Sequence, residues 1–236
     1  VKNGKHKLEE IAHYDRIAKR HDELANKYYF LRRMETIQDN VPKNSKILDV
    51  GCGTGRFLMN LEYSYAVGMD LSFQMLSVAR EKLKKKNTCF VQADAENAFP
   101  FRDSSFDAVL FMDSIEHIPK IEKTLCEAHR VVKENGIAII STPNSSAQIL
   151  WDIVDFFGLS ERGRQGPTHK LLELKKLIAS IEKAGFDVEK IEKKIYLPAG
   201  PEFALKFSEK LEKIFNDTPM SNIAFLVVLV CRKRKK

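Results

Sequence analysis

The stretch "ILDVGCGTGRF", Ile47 to Phe57, constrains this chain more than any other. A short apolar run ends in glycines at alternate positions, Gly51, Gly53 and Gly55, and a helix-like segment follows. A strand that passes into a helix through such a loop is the opening unit of an open α/β sheet, where ligands sit at the carboxyl ends of strands. A tight turn that binds nothing is the bland alternative. The loop does not suit a phosphate. A P-loop needs a Lys-Ser/Thr pair after its last glycine, and here Arg56-Phe57 follows Gly55. The dinucleotide fingerprint needs a glycine at position 56, which is Arg56. Asp49 stands two residues before the first glycine, and a carboxylate there repels a pyrophosphate. It suits a cationic or zwitterionic ligand.

The rest of the chain alternates strand and helix patterns. Residues 5–38 read as helical, with apolar positions such as Leu8, Ile11, Ile17, Leu24 and Phe30 at helical spacing. Strand patterns follow at "KILDV", "YAVGMD", "TCFVQAD", "FDAVLFMD" and "GIAIIST", and later at "FDVEKIEKKIYL" and "NIAFLVVLVCR". Helix patterns lie between them: "GRFLMNLEY", "SFQMLSVAREKLKKK" with Ser72 as N-cap, "IEKTLCEAHRVVKEN" closed by Gly136, "LLELKKLIASIEKAG" and "PEFALKFSEKLEKIF". This order predicts a doubly wound α/β fold. The chain divides into a helical cap (1–42), a half built on the glycine loop (43–145) and a second half with helical insertions (146–236). No composition shift marks a second domain.

Composition excludes other classes. The apolar run "IAFLVVLVC" is too short to span a bilayer, and the opening "VKNGKHKLEE" is unlike a signal peptide. Cys52, Cys89, Cys126 and Cys231 are too scattered for a zinc cluster, which argues for free thiols in the cytoplasm. The net charge of +7 comes largely from lysines interleaved with glutamates on helix patterns, so it marks solvated faces rather than a nucleic-acid surface.

"ILDVGCGTG" resembles the glycine loop of the class I S-adenosylmethionine-dependent methyltransferase family. The likeness runs in order through residues 46–142, with "VGMDLS", "QADAENAFPFRDSSFDAVLF" and "FMDSIEHI" at the family's spacing. It implies a Rossmann-like, mostly parallel seven-stranded sheet whose last strand is antiparallel. It implies S-adenosylmethionine as cofactor and S-adenosylhomocysteine as product. Asp49, Gly51, Cys52, Gly53 and Gly55 would form the loop beside the cofactor. Asp70 and Leu71 would meet the ribose, and Asp94 and Ala95 the adenine, with Met75 or Phe101 packing on the ring or simply in the core. Asp113 would lie by the methionine moiety, and Arg33, in "YYFLRR", by its carboxylate.

The "EH" after the fourth strand resembles small-molecule O-methyltransferases, including those of quinone biosynthesis, which makes His117 the candidate general base. A histidine that merely packs the loop is the competing reading. Asn144, Trp151 and His169 are the candidate acceptor contacts. The apolar "AQILWDIVDFFGL" suggests a lid over an acceptor that is at least partly apolar, with plain core packing or a membrane-surface contact as the alternatives. Asp113, Glu116 and His117 could hold a metal, but such groups in one loop more often bond one another, so no metal is expected. The expected partner is a small-molecule acceptor methylated on oxygen. The alternatives are an RNA or protein methyltransferase, or a non-catalytic cofactor-binding protein. Against the nucleic-acid reading, "DSIE" stands where amino-methylating DNA enzymes carry a proline-rich loop.

Overall fold

β1 (Lys46–Val50) lies between β2 (Tyr65–Asp70) and β4 (Phe106–Met112), parallel to both. In the computed structural model these belong to a seven-stranded sheet of order β3-β2-β1-β4-β5-β7-β6. The structure describes residues 2–147, 152, 156, 171–196, 202–216 and 218–235. β3 (Thr88–Gln92) and β6 (Phe186–Lys194) form the edges. β7 (Leu226–Lys233) is antiparallel to β6 and to β5 (Val132–Pro143), as the family resemblance implies for the last strand. From β1 the chain winds outward through β2 and β3, then returns to β4 on the other side. The strand order therefore reverses between β1 and β4, and the carboxyl ends there open a crevice.

Burial follows the strand patterns. β1, β4 and β7 are sheathed on both faces and read as nearly continuous apolar runs. One face packs Leu48, Val50 and Phe111 against Leu125 and Leu177, from α6 (Ile121–Val131) and α7 (Leu174–Lys183). The other packs Ile47, Leu110 and Ile139 against Ile37, Leu58 and Leu83. These come from α3 (Lys27–Asn40), α4 (Arg56–Met59) and α5 (Phe73–Leu83). Each such side chain contributes roughly 1.5–3 kcal/mol of burial.

Several boundaries differ from the sequence reading. The N-terminal helical stretch is broken into α1 (Lys2–Ile17), a short 3-10 turn at Ala18–Arg20, α2 (His21–Leu24) and α3. Asn26 imposes the last break, because its side chain accepts from the Tyr28 and Tyr29 amides and starts α3 afresh. The first crossover helix is a single turn, α4. The helix that Gly136 was expected to close ends at Val131, and β5 begins at Val132. The amides of Ser104 and Ser105 take the Arg130 and Val131 carbonyls, and the β-branched pair Val131-Val132 favours strand. A helix pattern at 201–215 is realised as α8 (Glu202–Phe215). No helix among the described residues is long and apolar enough to cross a membrane.

Candidate active site

The glycine loop bends because its backbone is left-handed three times, with φ of 71° at Gly51, 51° at Gly53 and 72° at Gly55. Two of the three glycines are also required by contact. A Cβ on Gly51 would stand 2.4 Å from the Ser114 Cβ, and one on Gly55 would stand 2.8 Å from Leu83 Cδ1. A Cβ on Gly53 would meet only His21 Cε1, at 4.0 Å, so this glycine faces open space.

The loop's amides are already spent. Gly51 and Cys52 donate to the Met69 carbonyl at 2.7 and 3.1 Å, Gly55 donates to Cys52 at 2.9 Å, and Gly53 donates to the Asp70 carboxylate at 2.8 Å. Few donors remain to cradle a phosphate. Asp49, 1% exposed, has no hydrogen-bond partner for either carboxylate oxygen among the described residues. Burial, with Asp70 adding repulsion, pushes its carboxyl up to about 7. An unpartnered buried carboxyl calls for a cationic donor. The site therefore fits an ammonium or a zwitterion, as the sequence argued.

Asp70 closes β2 and accepts from the Gly53 and Ser72 amides, each at 2.8 Å. Burial raises its carboxyl, and those backbone donors oppose the rise. Ser72 caps α5 as expected, its hydroxyl accepting from the Met75 amide. Met75 is 1% exposed and Cys52 lies under the loop. Burial and the neighbouring Asp70 and Asp49 push the Cys52 thiol well up, leaving it a neutral thiol. Gly68 in β2 makes room for it, since a Cβ there would stand 2.7 Å from Cys52 Sγ.

Residues 48–140 match the family described as a methyltransferase domain. The segment is a class I S-adenosylmethionine-dependent methyltransferase domain. The chain is 32% identical over 193 residues to the biotin biosynthesis bifunctional protein BioHC of Saccharophagus degradans, covering 78% of this chain and 32% of that one. It is 36% identical over 104 residues to the ubiquinone/menaquinone biosynthesis C-methyltransferase UbiE of Rhizobium etli, covering 40% of each. A Thermotoga maritima structure titled "SAM-dependent methyltransferase, possible histamine N-methyltransferase" superposes with a TM-score of 0.70. That match covers 94% of this chain and 99% of the other at 19% identity, a likeness of fold. The chain spans between 32% and 61% of the length of the curated relatives it matches first.

In this methyltransferase domain several other predicted residues follow the carboxyl ends of β2, β3 and β4. Asp94 follows β3, and its carboxylate accepts from the Glu96 amide at 2.9 Å. Leu71 and Ala95 are half-buried beside Asp70 and Asp94. Phe101 stacks edge-on to Phe106 at 5.3 Å, as part of the core. Asp113 follows β4 with a left-handed φ of 54°. Arg33, 6% exposed, reaches it from α3 at 2.6 Å, and Arg33 Nε donates to Ser141 at 3.2 Å. The Ser141 hydroxyl in turn donates to Asp113 at 3.1 Å.

His117 lies in the turn Ile115–His117. Its Nδ1 is 2.7 Å from Glu10 and its Nε2 is 3.4 Å from the Tyr14 hydroxyl. Burial lowers the imidazole pKa, but Glu10, Glu116 and Asp113 together carry it above its ordinary value. Glu116, beside it, is 5% exposed. Burial and Asp113 raise its carboxyl. Among the described residues no group of His, Cys, Asp and Glu has the geometry to hold a metal ion.

The sequence reading expects a helical cap over residues 1–42 but does not name most of the residues of α1 and α2 that cover this crevice. Lys7 donates to Asp94 and, at 2.7 Å, to Glu96. Glu10 and Tyr14 reach His117, Asp15 accepts from Ser72, and Asp22 accepts from Thr54 and from Lys82 at 2.6 Å. Lys7, Glu10 and Tyr14 are spaced i, i+3, i+7 and share one helix face. That polar face points inward, whereas Leu8, expected to pack, is 68% exposed. Asn144 is not turned toward a cleft. It is 2% exposed, and its amide nitrogen donates to the Asn222 and Ala224 carbonyls, so it ties the end of β5 to the loop before β7. Trp151, His169 and most of the lid segment lie outside the described residues.

Proposed function

We propose that this chain transfers a methyl group from S-adenosylmethionine to a small-molecule acceptor by in-line displacement. The observation that carries the reading is Asp49, whose two buried oxygens lack partners among the described residues, at the foot of a glycine loop with its amides spent. In this reading Asp49 takes the ammonium of the methyl donor, and Arg33, steadied by Asp113, takes its carboxylate. Asp70 and Leu71 meet the ribose, and Asp94 and Ala95 the adenine. Gly51, Gly53 and Gly55 let the backbone come close, while Cys52 and Met75 pack beneath. The donor, when bound, supplies an electrophilic methyl carbon on a positive sulfur. The chain's own task is to align the acceptor and exclude water.

The α1–α2 segment supports a small acceptor. It reaches across the glycine loop, the β2 and β3 ends and the turn after β4, and a macromolecule would have to displace it. Residues 1–42 then act as the cap, 43–145 as the donor-binding half and 146–236 as the acceptor side, with Trp151 and His169 as its contacts. Asn144 serves the loop rather than the acceptor. The acceptor atom is open among oxygen, carbon and nitrogen, since the relatives' names speak of carbon and nitrogen. His117, paired with Glu10, suits a fixed positive group better than a general base.

Incubation of the protein with S-adenosylmethionine and a panel of small hydroxylated, amino and enolic compounds tests this reading. S-adenosylhomocysteine should form with a subset of the panel, and Asp49→Asn should raise the donor concentration it needs about ten- to a hundredfold. Formation of product with nucleic acid alone would contradict the small-acceptor reading.

A further inference from the structure

Glu116 is a buried carboxyl at the turn after β4. The residue is 5% exposed, and its Oε2 has no hydrogen-bond partner among the described residues. Its charged neighbours are each committed elsewhere. Asp113 on the same turn is held by Arg33 of α3 and by Ser141 of β5. His117 is held by Glu10 and Tyr14 of α1. The turn abuts the glycine loop directly, because the Ser114 hydroxyl donates to the Val50 carbonyl at 2.6 Å and its Cβ fills the space Gly51 leaves. An acid with one carboxyl oxygen unpartnered among the described residues thus sits at the crevice between β1 and β4, under the cover of α1.

We propose that Glu116 faces the positive sulfur of the bound methyl donor, loses its proton when that charge arrives, and regains one from the acceptor during transfer. The proposal rests on the methyltransferase reading above. Burial and the adjacent Asp113 raise the carboxyl's pKa in the empty site, while His117 and Arg33 pull the other way. A cation placed against such a group favours its ionised form. The step balances. For an acceptor X–H, an electron pair on X forms the bond to the methyl carbon, and the carbon–sulfur pair stays on sulfur as a neutral thioether. The X–H proton passes to the Glu116 carboxylate. One positive and one negative charge disappear together, so the buried site is never left with an unpaired charge. The proton leaves for solvent when the next donor binds.

S-adenosylmethionine and S-adenosylhomocysteine differ by the methyl group and the positive charge, and both carry the ammonium assigned to Asp49. Calorimetric titration of the ligand-stripped protein with each, in buffers of different ionisation enthalpy near neutral pH, counts the protons released. S-adenosylmethionine should release more than S-adenosylhomocysteine. The excess should vanish in Glu116→Gln and in Glu116→Met, either of which suffices if the other fails to fold. Equal proton release by the two ligands on the wild type would overturn the proposal and leave the methyltransferase reading standing. An excess that survives both substitutions would also overturn it. Failure of the wild type to bind either ligand would sink the methyltransferase reading, and the proposal with it.

Discussion

Glu10 on α1 lies 2.7 Å from Nδ1 of His117, so a residue from the first helix sets the charge of the histidine that follows β4. The folded-state pKa of His117 is raised above its usual 6.5. The contribution of the pair to stability is therefore complete below 6.5 and fades as pH rises through the folded value. Glu10→Gln should lower the His117 pKa in an NMR titration, and the melting temperature of the variant should depend less on pH above neutrality. An unchanged His117 titration would show that the contact does not hold in solution.

The glycine loop separates two roles. Gly51→Ala places a methyl against Ser114 at a left-handed φ and should cost about 2–4 kcal/mol of stability in denaturant melts. Gly53→Ala meets open space and should cost about 1 kcal/mol, from the backbone alone. It should nonetheless weaken binding of the methyl donor strongly, because the ligand takes the space the methyl enters. Equal stability losses would mean that the loop has no ligand-facing side.

Asp49 makes the empty protein sensitive to alkali. Its carboxyl ionises at 3.8 when unfolded and at about 7 when folded. Across that window the unfolded chain holds fewer protons, so stability falls as pH rises from about 4 to about 7. Asp49→Asn should flatten this decline in ligand-free melts while lowering donor affinity about ten- to a hundredfold. A variant with normal affinity would remove Asp49 from the ammonium site.

What the sequence discloses follows from how local each signal is. β1 and β2 run over the residues the pattern predicts, and Ser72 caps α5, because strand alternation and cap chemistry are set within a few residues. Asp49, Gly51, Gly53 and Gly55 likewise reveal themselves through spacing, whereas Asp70 and Asp94 stand out only through the family resemblance; they lie in or just after β1, β2 and β3. The break at Asn26 and the early end of α6 depend on which backbone amides find partners, a choice made between elements. The inward polar face of α1 could have been read from Lys7, Glu10 and Tyr14 at helical spacing. Apolar periodicity hid it, because Leu8 and Ile11 suggest the opposite face. Asn144 misleads for another reason: its place at a strand end is that of a ligand contact, yet its amide serves the neighbouring loop.

The account's central claim is that the crevice between β1 and β4 holds S-adenosylmethionine rather than a phosphate-bearing nucleotide. Calorimetry on ligand-stripped protein with S-adenosylhomocysteine, ATP and NADH tests it most directly. The predicted result is saturable one-site binding of S-adenosylhomocysteine, weakened about ten- to a hundredfold by Asp70→Ala, and no binding of the two nucleotides. Tight binding of ATP or NADH, or no heat with S-adenosylhomocysteine at millimolar concentration, would contradict it.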